Sequence, residues 1–252
     1  MAHDRNTPYR FDQLALKIVL DDMTFAPDDP GPGDAVPSFD LPTLSGKRFR
    51  SSDLGATGPV LLIFGSSTCP MTDSAAPGLA ELHRRYGSAV RFVMVNVREA
   101  HPGQSVPQPR SDNEKFGQAV RLRSLHSFGF EIAVDGIDGG LHRALGTKPN
   151  SAYLLDRDGV ILFRAHWAND TEALAAALEA VTTGRIPDPA QSGGLMKPMI
   201  RTLKYIAPVL DRAGKGAWPD MWRVAPPLAA IALGLKLLGV RPRSTDRPQA
   251  FF

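Results

Sequence analysis

The 252-residue sequence contains a single cysteine, Cys69. One thiol excludes an internal disulfide and any cysteine-based zinc site, so no disulfide framework holds the chain together. No run of apolar residues reaches the length of an uninterrupted spanning helix. The N-terminus, MAHDRNTPYR, has no apolar core of the kind a secretory signal carries. With a lone thiol that suits a reducing compartment, the expectation is a cytoplasmic protein. The six histidines show no spacing that sets two ligands on one helix face. Gly55-Ala56-Thr57-Gly58 lacks the Lys-Ser/Thr ending of a phosphate loop. Neither a metal nor a bound cofactor is expected, and there is no internal repeat.

A hydrophobic content of 43% is enough for a substantial core. The net charge of +3 hides an asymmetry: from Lys197 onward ten basic residues face three acidic ones, leaving the rest of the chain mildly acidic. Residues 28–37 and 185–194 are rich in proline and glycine and read as linkers. They divide the chain into an N-terminal helix and linker (1–32), a compact domain (33–184) and a basic helical extension (185–252).

The stretch PVLLIFGSSTCPMTDSAAPGLAEL carries the thiol. Residues 60–64 form an apolar run of strand length, and apolar residues at helical spacing follow Asp73. A cysteine delivered by a buried strand to a helix start gains from the helix dipole and free N–H groups, which predicts a lowered thiol pKa and a nucleophile. Hydroxylic neighbours, Ser66, Ser67, Thr68 and Thr72, distinguish it from a core thiol.

Periodicity predicts a helix over 9–20 capped by Asn6-Thr7-Pro8, then a hairpin over 35–50 and a strand over 60–64. A helix over 73–86 follows, with Thr72 or Asp73 as cap and Pro77 near its first turn. Next come a strand over 90–97, a helix over 113–125, a strand over 130–134 and a short helix over 141–145. A hairpin turns at Asp156-Arg157-Asp158-Gly159 and leads into a helix over 171–181. Beyond the second linker, helices are expected over 195–210 and 228–240, ahead of a disordered end.

That order, with a nucleophile at the first strand-to-helix junction, resembles the thioredoxin fold: a central mixed α/β sheet flanked by helices, here with an added N-terminal helix and helical C-terminal extension. Within it the chain resembles the redoxin branch, the peroxiredoxin-like AhpC/TSA proteins. Phe64-Gly65-Ser66-Ser67-Thr68-Cys69-Pro70 and Glu99-Ala100-His101-Pro102 are similar to two segments of iodothyronine deiodinases, with cysteine in place of selenocysteine. The resemblance implies Cys69 as nucleophile, with Thr68 and the nearby hydroxyls of Ser66, Ser67 and Thr72 as hydrogen-bonding partners. It further implies His101 as acid/base oriented by Glu99, and Pro149 as the cis-proline set against the Cys69 turn, with Asn150 or Ser151 touching that turn. Peroxiredoxins place a threonine three residues before the reactive cysteine, where this chain has Ser66.

Thr72 occupies the position where a thioredoxin has its second cysteine, so turnover would need an external thiol or a thioredoxin-type reductant. The leading expectation is a thiol-dependent oxidoreductase acting on a peroxide or another small electrophile. A non-catalytic binding or scaffold module docked through its tail and a reductive dehalogenase are the alternatives. For the basic tail three readings are ranked: a solvated helical cap, an interfacial membrane helix supported by Trp218 and Trp222, and, last, a nucleic-acid contact. A homo-oligomer is left open.

Overall fold

A computed structural model describes residues 9–56, 58–189 and 196–242. The expected Asn6-Thr7-Pro8 cap, the Gly193-Gly194 part of the second linker and the last ten residues lie outside them.

The centre is β3 (Val60–Gly65), buried along its whole length. A strand this apolar on both faces requires cover on both sides. Parallel to it lies β4 (Arg91–Asn96), which in turn pairs with parallel β5 (Glu131–Val134). On its other edge β6 (Ala152–Leu155) runs antiparallel and is joined to β7 (Ile161–Ala165), completing a five-stranded mixed sheet ordered β5-β4-β3-β6-β7. This is the arrangement that the thioredoxin-fold resemblance implies.

Alternating side chains feed two cores, as the period of two in a strand dictates. Leu61 and Ile63 pack with Leu79 of α2 (Pro70–Tyr86), Leu122 of α3 (Asp112–His126) and Leu178 of α5 (Thr171–Thr182). Val60, Leu62 and Phe64 pack on the opposite face. There Leu41 and Phe49 meet them from a hairpin of β1 (Asp40–Pro42) and β2 (Arg48–Arg50), and Leu141 from the short α4 (Gly140–Ala144). A 3-10 helix, Ser51–Ala56, connects the hairpin to β3.

Three expectations shift. The first helix, α1, occupies Leu16–Asp22 rather than 9–20. Tyr9 instead anchors an irregular segment by bonding His142 Nδ1 at 2.9 Å, while Arg98 Nη1 donates to the Tyr9 carbonyl at 2.9 Å. Helix α2 begins at Pro70, where a missing N–H costs nothing, so Cys69 rather than Thr72 or Asp73 is its N-cap. Pro77 consequently sits inside the helix, withholding one backbone bond from the Asp73 carbonyl.

After the sheet come α6 (Met196–Ala213), α7 (Ala217–Val224) and α8 (Pro226–Leu237). Between the two helices expected over 195–210 and 228–240 lies α7, whose Ala217 and Met221 are buried. Ile206 and Leu210 of α6, Met221 of α7 and Ala229 and Ala232 of α8 bring the three helices together, and α6 lies along α2. No helix among the described residues is long and apolar enough to cross a membrane.

Candidate active site

The site is built where β3 and β4 end side by side. At the end of β3, a side chain on Gly65 would stand 2.6 Å from Met94 Sδ and 3.2 Å from Thr72, so only glycine lets the turn close onto α2. Ser66, Ser67 and Thr68 form that turn, and all are buried. Cys69 caps α2 with extended backbone angles, φ −102° and ψ 113°.

Its thiol is 1% exposed, among Met71, Ala100 and Trp167. Loss of water on burial pushes the thiol up to about 12. Hydrogen bonds from the Thr72 hydroxyl and from the N–H groups of Thr72 and Met71 favour thiolate but are outweighed, and the Asp73 charge adds to the rise. The lowered pKa expected of a helix-start cysteine is therefore corrected. Desolvation of a wholly buried charge exceeds what a helix terminus returns.

Thr68 does not serve the thiol among the described contacts. Its N–H and Oγ1 donate to Glu99 Oε2 at 2.8 and 2.6 Å, and its Oγ1 accepts from the His101 N–H at 3.2 Å. Glu99 thus orients Thr68 and, through it, the backbone of His101, instead of the imidazole as expected. Gln108 brackets Glu99, accepting from its N–H at 3.0 Å and donating to its carbonyl at 2.7 Å. Burial raises the Glu99 carboxyl, and the same dryness lowers nearby Lys115, which donates to the Val97 carbonyl, to about 8.

Ser67 Oγ donates to the Gln118 carbonyl at 3.4 Å, whereas Ser66 Oγ is buried with no partner among the described residues. Thr72 Oγ1 accepts at 3.4 Å from the Ser66 N–H and at 3.4 Å from Asn150 Nδ2. Asn150 also donates to the Phe64 carbonyl at 3.0 Å, so the residue after Pro149 does touch the Cys69 turn. Pro149 itself is trans, there being no cis peptide bond among the described residues, and it faces the same space as Cys69. The cis assignment is corrected while the placement stands.

That space is a cavity of about 310 Å³ bounded by Cys69, His101, Pro149 and Trp167 below and by residues of α1, α6, α7 and α8 above. His101 is half-buried, and removal of water lowers its imidazole to about 4, against a weaker upward pull from Asp220. Cys69 and His101 therefore share one wall system as a neutral thiol and a neutral imidazole.

Sequence reasoning missed what comes from α6 onward. Arg212 of α6 donates to the Ser67 carbonyl at 2.8 Å and pairs with Asp73, which also stands 3.2 Å from His126. Burial works against the Asp73 carboxylate, but His126 and Arg212 outweigh it and hold it below its ordinary value. The loop after His101 is clamped too: the N–H groups of Gln104 and Ser105 donate to the carbonyls of Lys215 and Ala213, each at 2.9 Å. Gly103 lies so close to the Ala213 carbonyl that a side chain there would collide with it. The basic amphipathic pattern of residues 195–210 was the available signal, but it gives no hint of which surface is covered.

Residues 32–164 match the AhpC/TSA family. The chain belongs to the AhpC/TSA family. As a redoxin it has relatives among curated proteins: the methylamine utilization protein MauD of Methylorubrum extorquens is 31% identical over 159 residues, covering 62% of this chain and 68% of that protein. MauD of Paracoccus denitrificans is 29% identical, with 62% and 70% covered. Among solved structures, an uncharacterized conserved protein from Geobacillus kaustophilus superposes with a TM-score of 0.52 at 20% identity, covering 66% of this chain and 88% of that one. A hypothetical protein from Sinorhizobium meliloti gives 0.51 at 19% identity over 66% and 91%. These two share the fold. The family match, residues 32–164, excludes α1, α6, α7 and α8, the helices that roof the cavity.

Proposed function

We propose that this redoxin is a one-cysteine thiol oxidoreductase that reduces a small electrophile inside the cavity. The observation that carries this reading is the placement of the only thiol and a neutral imidazole on one cavity wall. With a hydroperoxide, the Cys69 sulfur attacks the terminal oxygen, an S–O bond forms and the O–O bond breaks. A neutral His101 relays the proton in the same concerted step, one ring nitrogen accepting it from the thiol as the other gives its own to the departing oxygen, so no imidazolium forms and thiol and hydroperoxide become sulfenic acid and alcohol. One external thiol then condenses with the sulfenic acid, releasing water, and a second displaces the mixed disulfide to restore Cys69.

Reduced protein mixed with cumene hydroperoxide is expected to gain one oxygen at Cys69, trapped by dimedone and reversed by dithiothreitol. His101→Ala should slow that step by about a hundredfold or more. A Cys69 that stays unmodified under excess hydroperoxide would sink the peroxide reading. Iodide released from an aryl iodide by the same reduced protein would redirect it to dehalogenation, which rests on the Phe64–Pro70 and Glu99–Pro102 motifs.

One observation favours a second reading. A thiol held at about 12 is neutral at physiological pH and is a poor nucleophile until something activates it. A non-catalytic binding module predicts that Cys69→Ser preserves biological function while disruption of α6–α8 removes it.

A further inference from the structure

The lining of the cavity has a composition of its own. Four of the seven methionines of the chain, Met23, Met71, Met199 and Met221, face it. Methionine has three rotatable side-chain bonds and a polarizable sulfur, so such a wall reshapes around a flexible occupant. Among the described residues no lysine or arginine lines the cavity; the ionisable groups there besides the thiol are His101 and Asp22, and Asp22 is engaged by Arg98 at 3.3 Å. A carboxylate headgroup would enter without a cation to meet it, which excludes a buried anion.

Size narrows the occupant further. Apolar cavities of about 150 Å³ stay dry and take up benzene, and this one, at about 310 Å³, has twice that room. Its opening lies between α6 and α8, because Ile200 and Ile231 line it and yet are 62% and 43% exposed. Neither residue needs to be apolar for folding at that exposure, but both would be wetted by an entering chain.

We propose that the cavity is the binding site for a neutral molecule bearing a single aliphatic chain of about ten carbons, a length scaled from the room benzene needs. The chain threads between α6 and α8 and presents its functional end to Cys69. The site deepens the reading of Cys69 as the reacting group and rests on that reading for the reaction, though not for binding.

The test uses the full chain, wild type and Cys69→Ser, titrated with 1-alkanols from hexanol to dodecanol by calorimetry. Intrinsic tryptophan fluorescence, to which the cavity-lining Trp167 contributes, gives a second readout. Saturable one-to-one binding is expected in both proteins, tightening about fourfold per added methylene until the cavity is full. Ile200→Glu/Ile231→Glu, at exposed positions and checked for fold by circular dichroism, should weaken 1-decanol about tenfold or more, the loss of roughly two methylenes' worth of burial. Decanoate at pH 8 should bind far more weakly than 1-decanol. Absence of saturable decanol binding, an unaffected double variant, or decanoate binding as tightly as decanol would each overturn the site. Tighter binding of 2-naphthol than of 1-decanol would overturn the aliphatic assignment. If Cys69→Ser and wild type both bind decanol but no electrophile is reduced, the oxidoreductase reading falls and the site stands; turnover without alkanol binding removes the site alone.

Discussion

Raising the pH should destabilise this protein through Cys69, and the size of the effect follows from its burial. Going from an ordinary 9.0 to about 12 in the fold, the thiol keeps its proton in the native state while the unfolded chain releases it. A group raised on folding contributes stability that is complete below its unfolded pKa and is lost as pH climbs toward the folded value. Three pH units correspond to about 4 kcal/mol in all, of which about 2 kcal/mol is lost by pH 10.5. Urea unfolding at pH 8 and 10.5 reads this directly, with Cys69→Ala as the reference because it leaves Lys115, Tyr9 and Tyr153 to titrate as before. Wild type should lose about 2 kcal/mol more than Cys69→Ala over that interval. In parallel, iodoacetamide should alkylate the native thiol about a thousandfold or more slowly at pH 7 than the urea-unfolded chain, rising tenfold per pH unit. An alkylation midpoint at or below 9, or equal alkaline losses in the two proteins, would refute the argument that desolvation dominates the helix terminus.

Other outcomes follow from the same geometry. Thr68→Val removes the hydroxyl that Glu99 accepts from and that receives the His101 N–H, and should cost about 2 kcal/mol in urea unfolding. Arg212→Ala leaves Asp73 buried beside His126 alone and should cost about 3 kcal/mol while freeing α6 from α2, visible as faster amide exchange in α6. On the acid side, His166 is held to about 4 against an ordinary 6.5, so the unfolded chain protonates first and stability falls as pH drops from 6.5 toward 4. His101 and His142, also lowered by burial, act in the same direction, so His166→Gln should make that limb shallower without removing it, while Glu99 and Asp135, raised by burial, oppose it.

Strand and helix identities within the redoxin domain were legible because their signals are local. The run Val60–Phe64 has the length and apolar continuity of a buried strand, and the turn at Asp156–Gly159 joins β6 to β7 as its residue types demand. Cys69 at a strand-to-helix junction and His101 in the loop after β4 were also readable, since chain order alone sets them at one edge of the sheet. The role of Glu99 was misread because Glu99 and His101 are near in sequence, whereas the carboxylate turns to Thr68 across the strand pair.

Sequence by itself therefore determined the fold, the position of the lone thiol and the missing partner at Thr72. Tertiary structure decided the state of that thiol. The helix-start field that favours thiolate is written locally, but the desolvation that overrides it comes from burial among Met71, Ala100 and Trp167, which only the fold brings together. Electrostatic free energy depends on what replaces water around a charge, and that is fixed only when the chain has packed around the site.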